Sequence, residues 1–202
     1  MSESIRRESP LVRFGLPGRT ETPHDRAAIS ASEHAFLGHL NLRGDPQDAR
    51  FVAAVRAVLG VAPPITVNTV NEAQRNTVYW LGPDEWLIVT PDERRVPVES
   101  GLRSALRGLR FALTDVSGGQ TVVVLRGGPV RELLAKGCPL DLHPRVFDVG
   151  QCAQSHLAKA PILLRQLDRE PSFEIIVRRS FADYFWLWLE DSAVEYGLAV
   201  YA

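Results

Sequence analysis

The chain has 202 residues, 45% hydrophobic and 23% charged, with a formal net charge of -1 at pH 7. That balance is ordinary for a globular protein and gives no electrostatic reason to bind nucleic acid or an acidic membrane. No apolar run approaches the roughly 20 residues of a membrane-spanning helix, and the two cysteines, Cys138 and Cys152, are too few for a disulfide framework.

The opening Ser-Glu-Ser-Ile-Arg-Arg-Glu carries both charge signs and leads into no apolar stretch. No secretory leader is expected, and the protein reads as cytoplasmic with free thiols. Residues 1–32 contain Pro10, Pro17 and Pro23 with mixed charges and no sustained period. They are expected to form an extended arm, with weak helix at Asp25 to Ala31 at most. Leu11, Val12, Phe14 and Leu16 are apolar anchors that a purely solvated tail does not need. Two readings stand: a disordered tail, or an arm that orders against a partner.

A first unit follows over residues 33–110. Leu40 to Gly44 reads as a strand. Phe51, Val55, Val58 and Leu59 then fall on one helical face, with Pro46 and Asp48 suited to the first turn. Thr77 to Leu81 and Glu85 to Thr90 read as strands joined by Gly82-Pro83-Asp84, a turn signal. A second helix shows Val98, Leu102, Ala105 and Leu106 on one face and ends at Gly108.

Residues 111–202 repeat this order. Phe111 to Val116 is expected to link the units. Thr121 to Arg126 is a strand whose end, Leu125-Arg126-Gly127, repeats Leu42-Arg43-Gly44 about 85 residues earlier. Pro129 opens a helix with Val130, Leu133 and Leu134 inward, and Gly137 stops it. Strands are expected near His156 to Leu167 and Phe173 to Arg178, and Ser180 is placed to cap the last helix. The expected fold is α+β: two tandem ferredoxin-like β-α-β-β-α units packed into one body, helices outside. Each unit alone is too small to bury a stable core.

Lys136-Gly137-Cys138-Pro139-Leu140-Asp141-Leu142-His143 brings together a thiol, a carboxylate and an imidazole. A nucleophilic cysteine needs its base within hydrogen-bond reach, which this spacing does not establish. The spacing to His143 and Cys152 matches no common zinc pattern. The structural reading is preferred: Gly137 ends a helix, Pro139 prevents its resumption, and Asp141 bonds nearby backbone. Gly118-Gly119, after Asp115-Val116-Ser117, reads as a turn rather than an anion loop. No phosphate-binding glycine motif is present. His24, His34, His39 and His156 are isolated, and Trp86 is expected in the core. No catalytic, cofactor-binding or metal-binding residue is assigned.

On the last helix, Phe181, Tyr184, Phe185, Trp188, Leu189 and Ser192 share a face expected to pack on the second sheet. Trp186 and Leu187 then fall on the outer flank, where a tryptophan marks an interface. The alternative is that the arm of the same chain covers Trp186. The first reading expects Trp186→Ala to weaken a complex and leave the isolated fold largely intact.

Several segments carry a family resemblance. They are Leu81-Gly82-Pro83-Asp84-Glu85-Trp86-Leu87, Ala135 to Pro144, Leu157-Ala158-Lys159-Ala160-Pro161 and Arg179-Ser180-Phe181-Ala182-Asp183-Tyr184. In this order they resemble the gamma subunits of heterotetrameric sarcosine oxidases, from about Leu81 onward and most strongly from Asp115 to Asp191. The resemblance implies a non-catalytic assembly subunit beside alpha, beta and delta subunits, with alpha the main contact. Such complexes demethylate sarcosine to glycine, yielding hydrogen peroxide and formaldehyde or methylene-tetrahydrofolate. It places FAD, FMN, NAD and tetrahydrofolate on the partners and none on this chain. It also implies a fold similar to the N-terminal part of the folate-binding aminomethyltransferase T-protein.

That relationship leaves a rival, a stand-alone folate-binding aminomethyltransferase-like protein. The T-protein pattern has Gly-Gly and an acid where this chain has Lys159-Ala160-Pro161-Ile162-Leu163-Leu164, so no folate residue is carried over. A third reading is a stand-alone enzyme using Cys138.

Overall fold

Short runs rich in β-branched and aromatic residues recur along this sequence, and in the computed structural model they pair into two sheets. The structure describes residues 7–19 and 27–201. Asp25 and Arg26, within the expected weak helix, lie outside the described residues, as does His24.

The arm contains a 3-10 turn at Val12–Phe14 and a one-turn helix α1 (Leu16–Arg19). The first half continues with β1 (Ile29–His34), β2 (Gly38–Gly44), α2 (Ala49–Leu59), β3 (Val70–Ala73), β4 (Asn76–Gly82), β5 (Glu85–Thr90), α3 (Asp92–Ala105) and β6 (Phe111–Asp115). The second half contains β7 (Gln120–Arg126), α4 (Val130–Ala135), β8 (Cys152–Leu157), β9 (Ala160–Asp168), β10 (Ser172–Arg178), α5 (Arg179–Ser192) and β11 (Leu198–Tyr201).

The five-stranded sheet has the order β3-β4-β5-β2-β6. Leaving aside β3 at the edge, this is the order that a β-α-β-β-α-β ferredoxin-like unit produces. The six-stranded sheet has the order β11-β1-β7-β10-β9-β8. It follows the same plan, with β8 added at one edge and β1 inserted between β7 and β11. Strand β1 runs antiparallel to β7, with Ala31 opposite Leu125, and parallel to β11, with Ala31 opposite Val200.

Several sequence expectations are corrected here. Phe111–Asp115 does not open the second unit; it completes the first sheet beside β2. Ile29 to Ser32, expected in the arm with Ala31 in a weak helix, and Glu33 and His34, expected to open the first unit, together form β1, a strand of the second sheet. The expected strand from His156 to Leu167 is broken by a turn at Ala158-Lys159, with Ala158 at positive φ, making a β8–β9 hairpin. Ser180 does not cap α5: the N-cap is Arg178, without a side-chain bond. Gly118 and Gly119 lie in a 3-10 turn, Ser117–Gly119, where the chain crosses between sheets.

Local chemistry explains the helices. Asp48 caps α2 by accepting from Arg50 N at 2.9 Å, Phe51, Val55 and Leu59 turn inward, and Gly60 ends the helix in the left-handed region. The repeated Leu-Arg-Gly serves a different purpose in each copy. A Cβ at Gly44 would sit 2.1 Å from the Phe51 ring, whereas Gly127 has φ +131° and a Cβ there would meet the Ala28 carbonyl oxygen at 2.1 Å.

Three apolar layers result. Leu40, Leu42, Val78, Trp86 and Ile88 pack beneath α2 and α3. Val123, Leu125, Phe173, Ile175 and Val177 pack beneath α4, α5 and the arm. Between the sheets, Tyr79, Leu87 and Val89 meet Val122, Val124, Leu163 and Ile176. Because strand side chains alternate, each strand supplies an outer and an inner layer at once.

Candidate functional site

The arm is part of the second unit. Leu11 and Leu16 are buried in its core, and Phe14 packs on Trp186 with ring centroids 6.1 Å apart. Polar contacts fasten the strap. Leu11 N donates to Ser9 Oγ at 2.9 Å, and Ser9 Oγ donates to Glu33 on β1. Arg13 pairs with Asp183 at 3.2 Å and Arg19 with Glu190, both acids on α5. Arg179 donates to the Glu8 carbonyl at 3.3 Å.

Helix α5 therefore has two walls. Ala182, Phe185, Trp186 and Leu189 are its buried residues. Trp186 is 0% exposed, so its placement on an outer interface flank is corrected: the arm of its own chain covers it. Tyr184, assigned to the inner face, is instead exposed. Of the six candidate interface residues, Leu11, Leu16 and Trp186 are internal and Phe14 is partly buried. Val12, at 53% exposure, and Leu187, at 51%, remain on the surface. Val12 borders a groove of about 300 Å³ that Phe36 and Tyr201, also exposed, help to line. Phe36 holds φ at 63°, unusual for a bulky residue, and Arg7 lies 4.9 Å over its ring.

The Cys-His segment is a structural turn. Cys138 is buried with Sγ 3.8 Å from Ser155 Oγ, and Asp141 Oδ1 accepts from His143 N at 2.9 Å. His143 is exposed, and its Nδ1 accepts from Arg145 N at 3.2 Å. Nothing in these contacts joins Cys138 to His143 as nucleophile and base. No cluster of three or more metal-ligating side chains occurs among the described residues.

The sheet-to-sheet layer holds the most perturbed groups. Tyr79 on β4 donates to Glu174 on β10; Arg165 on β9 reaches Glu174 at 2.8 Å and Glu72 on β3 at 2.8 Å. Burial, reinforced by Glu174, pushes the Tyr79 phenol well above its usual pKa. Burial opposes the Arg165 charge, but the facing Tyr79, Glu174 and Glu72 more than restore it, and its pKa is raised. Cys152 on β8 donates to the Thr69 carbonyl at 3.4 Å, and burial raises its pKa to about 11, which makes it an unreactive thiol. These contacts bolt the sheets together.

His39 on β2 is 1% exposed. Its Nδ1 lies 3.1 Å from the Leu37 carbonyl oxygen, and Nε2 has no partner. Burial lowers its pKa to about 4 despite the raising influence of the Leu37 bond, Glu174 and Asp115. It is neutral at pH 7, with Nδ1 donating.

Beyond this closed region the sheets part. The resulting cleft of about 750 Å³ is lined by Asn41, Arg43 and Glu85 on one side and by Gln120, His156 and Arg178 on the other. Sequence reasoning marked none of these as a group, because the strands that carry them are far apart in the chain.

The comparisons with known proteins agree with one another. Residues 43–195 match the model of the sarcosine oxidase, gamma subunit family. The chain is 32% identical to a sarcosine oxidase subunit gamma from Corynebacterium sp. (strain U-96), over 96% of this chain and 93% of that one. It is 35% identical to the corresponding subunit from Arthrobacter sp., over 84% of this chain and 82% of that one.

Among solved structures, it superimposes on a chain of the heterotetrameric sarcosine oxidase from Corynebacterium sp. U-96. The TM-score is 0.82 at 33% identity, covering 97% of this chain and 99% of that one. Aminomethyltransferase T of the glycine cleavage system from Bartonella henselae shares the fold, with TM-score 0.64 at 14% identity, covering 88% of this chain and 49% of that chain. The chain is a member of the sarcosine oxidase gamma subunit family.

Proposed function

We propose that this chain is the gamma subunit of a heterotetrameric sarcosine oxidase, a structural subunit assembled with alpha, beta and delta partners. The observation that carries the reading is the end-to-end match, at 33% identity, to a chain of the Corynebacterium complex. In this reading the complex demethylates sarcosine to glycine with release of hydrogen peroxide. FAD, FMN, NAD and tetrahydrofolate belong to the partners, and alpha is the main contact. A chain that buries its own arm offers a preformed docking body, so association spends little on ordering it. Val12 on the arm and Leu187 on α5 are candidate interface residues that stay on the surface for such contact.

The test is co-expression of the tagged chain with its genomic neighbours, followed by size-exclusion chromatography monitored at flavin wavelengths. Co-elution with a yellow, sarcosine-oxidising complex is the expected result. A colourless species eluting alone overturns the reading. Leu187→Glu is expected to reduce the co-eluting fraction several-fold while the isolated chain melts as before, since exposed substitutions shift stability by only about 0.5 kcal/mol.

A further inference from the structure

The backbone groups along a sheet edge need water, a cover or another strand. β3 and β8, one edge of each sheet, begin by pairing with each other. Thr69 and Gln151 form a bridge, Val70 N donates to the Gly150 carbonyl at 2.9 Å, and Cys152 N donates to the Asn68 carbonyl at 2.9 Å. At the far edge of the second sheet, α1 lies against β11. β6, the far edge of the first sheet, has β2 on one side and, among the described residues, no strand on the other.

Register shows which groups β6 leaves open. Just beyond the strand, Val116 N donates to the His39 carbonyl at 2.9 Å, which makes His39 and Val116 a hydrogen-bonded pair. Antiparallel pairs alternate, so Asn41 with Thr114 and Arg43 with Ala112 are the next bonded pairs. The other side of β2 agrees: Gly44 N donates to the Asp84 carbonyl, which turns Leu42 and Leu40 towards β5. The N–H and C=O groups of Phe111, Leu113 and Asp115 therefore point away from the sheet. The Leu113 carbonyl accepts from Arg103 Nη2 at 2.8 Å. Among the described residues, the three N–H groups have no protein acceptor.

The strand also lacks the devices that usually guard an open edge. Its pairing with β2 runs without a bulge. Phe111-Ala112-Leu113-Thr114 has no proline and no charge, and Asp115 is neutralised by Arg95. Leu113 is buried in the outer core with Phe111 packed against it, whereas Ala112 and Thr114 on the opposite face are exposed. A straight, nearly uncharged edge with open N–H groups is a template for an added strand. A second copy of the chain fits it poorly. Two β6 strands paired about a two-fold axis at Leu113 bring both Arg103 guanidiniums to one place, because each is held at its own Leu113 carbonyl. A strand from a different chain avoids that conflict. Arg103 at the edge, with the exposed Arg107 that has no ion pair among the described residues, favours an acidic side chain on it.

We propose that β6 receives an extended strand from a partner subunit, apolar on the α3 side, polar on the other, and acidic where it passes Arg103. The incoming carbonyls accept from the Phe111, Leu113 and Asp115 N–H groups. This inference rests on the subunit reading above, and it gives the assembly a contact on the first unit, apart from Val12 and Leu187 on the second.

The test is residue-resolved amide hydrogen exchange on the isolated full-length chain and on the co-purified complex. In the isolated chain, the Ala112 and Thr114 amides are expected to be protected by β2 while Phe111, Leu113 and Asp115 exchange fast. In the complex those three are expected to slow by about a hundred-fold or more, since strand addition protects alternate amides and side-chain docking does not. Thr114→Lys places on the exposed face the charge that guards natural edges; it is expected to cut the co-eluting fraction about ten-fold and leave the isolated chain's melting unchanged. Thr114→Val is expected to assemble as the parent does. A complex in which Phe111, Leu113 and Asp115 exchange as fast as in the isolated chain overturns the proposal and leaves the subunit reading intact. Undiminished assembly of Thr114→Lys does the same. Failure of the parent chain to form any complex removes the subunit reading, and this inference with it.

Discussion

The two halves of this molecule follow one plan and close it differently. The first sheet is completed by the stretch that begins at β2 and ends at β6, so its unit is contiguous in sequence. The second sheet admits β1 between β7 and β11, and its outer core takes Leu11 and Leu16 from the arm. A duplicated sequence therefore does not give two equally self-sufficient units. The tryptophans show the contrast. Trp86 packs on Phe51 at 5.7 Å within its own unit, and its Nε1 donates to the Pro64 carbonyl at 2.8 Å. Trp186 packs on Phe14 of the strap, and its Nε1 has no partner.

The largest expected effects test that contrast. Replacing either tryptophan by alanine should cost about 3–5 kcal/mol through lost burial and the cavity left behind. This reverses the expectation that Trp186→Ala spares the isolated fold. The phenylalanine variants separate the two sites. Trp86→Phe also strands the Pro64 carbonyl, adding about 1–3 kcal/mol, whereas Trp186→Phe removes an N–H that was already unsatisfied. Urea denaturation of the four variants measures this. Equal losses for the two phenylalanine variants would break the comparison.

The first unit was largely legible in the sequence because its signals are local. Gly82-Pro83-Asp84 fixed a hairpin, and Phe51, Val55 and Leu59 fixed a helical face. The second unit was less so, for physical reasons. Ile29-Ser30-Ala31-Ser32 is rich in small residues with weak strand preference, and its partners, β7 and β11, come from far along the chain. A helix that packs on one sheet has one apolar face; α5 also packs under the strap, so its buried arc runs through Ala182, Phe185, Trp186 and Leu189. Ordinary 3.6-residue periodicity could not place Trp186 without knowing where the arm goes. The cleft between the sheets, with Asn41, Arg43 and Glu85 facing Gln120, His156 and Arg178, required the sheet pairing and had no sequence signal.

A second comparison concerns how the halves are joined. If the inter-sheet bolt matters to both, Glu174→Leu should destabilise the whole chain by about 3 kcal/mol, since it leaves Arg165 half-paired and the Tyr79 hydroxyl without its acceptor. Adding Tyr79→Phe and Arg165→Met should recover most of the loss, because replacing a buried polar group together with its partners costs far less than orphaning them. Thermal unfolding of the single and triple variants gives the answer. A triple variant no more stable than Glu174→Leu would mean that packing, rather than pairing, governs this layer.

The smallest effect distinguishes the two inner faces by pH. His39 on the first sheet is buried and neutral, whereas His156 on the second is exposed. The folded pKa of His39, about 4, lies below its usual 6.5. Between those values the unfolded chain binds the extra proton, so stability rises with pH, is complete above about 6.5 and falls progressively towards pH 4. At pH 5 the expected loss relative to pH 7 is about 2 kcal/mol from this group. His39→Gln removes the titration, so its stability should change less between pH 7 and pH 5 than that of the parent chain. The carboxylates are the same in both chains, so the difference in slope isolates the histidine. Identical slopes for the parent and His39→Gln would place the acid sensitivity elsewhere.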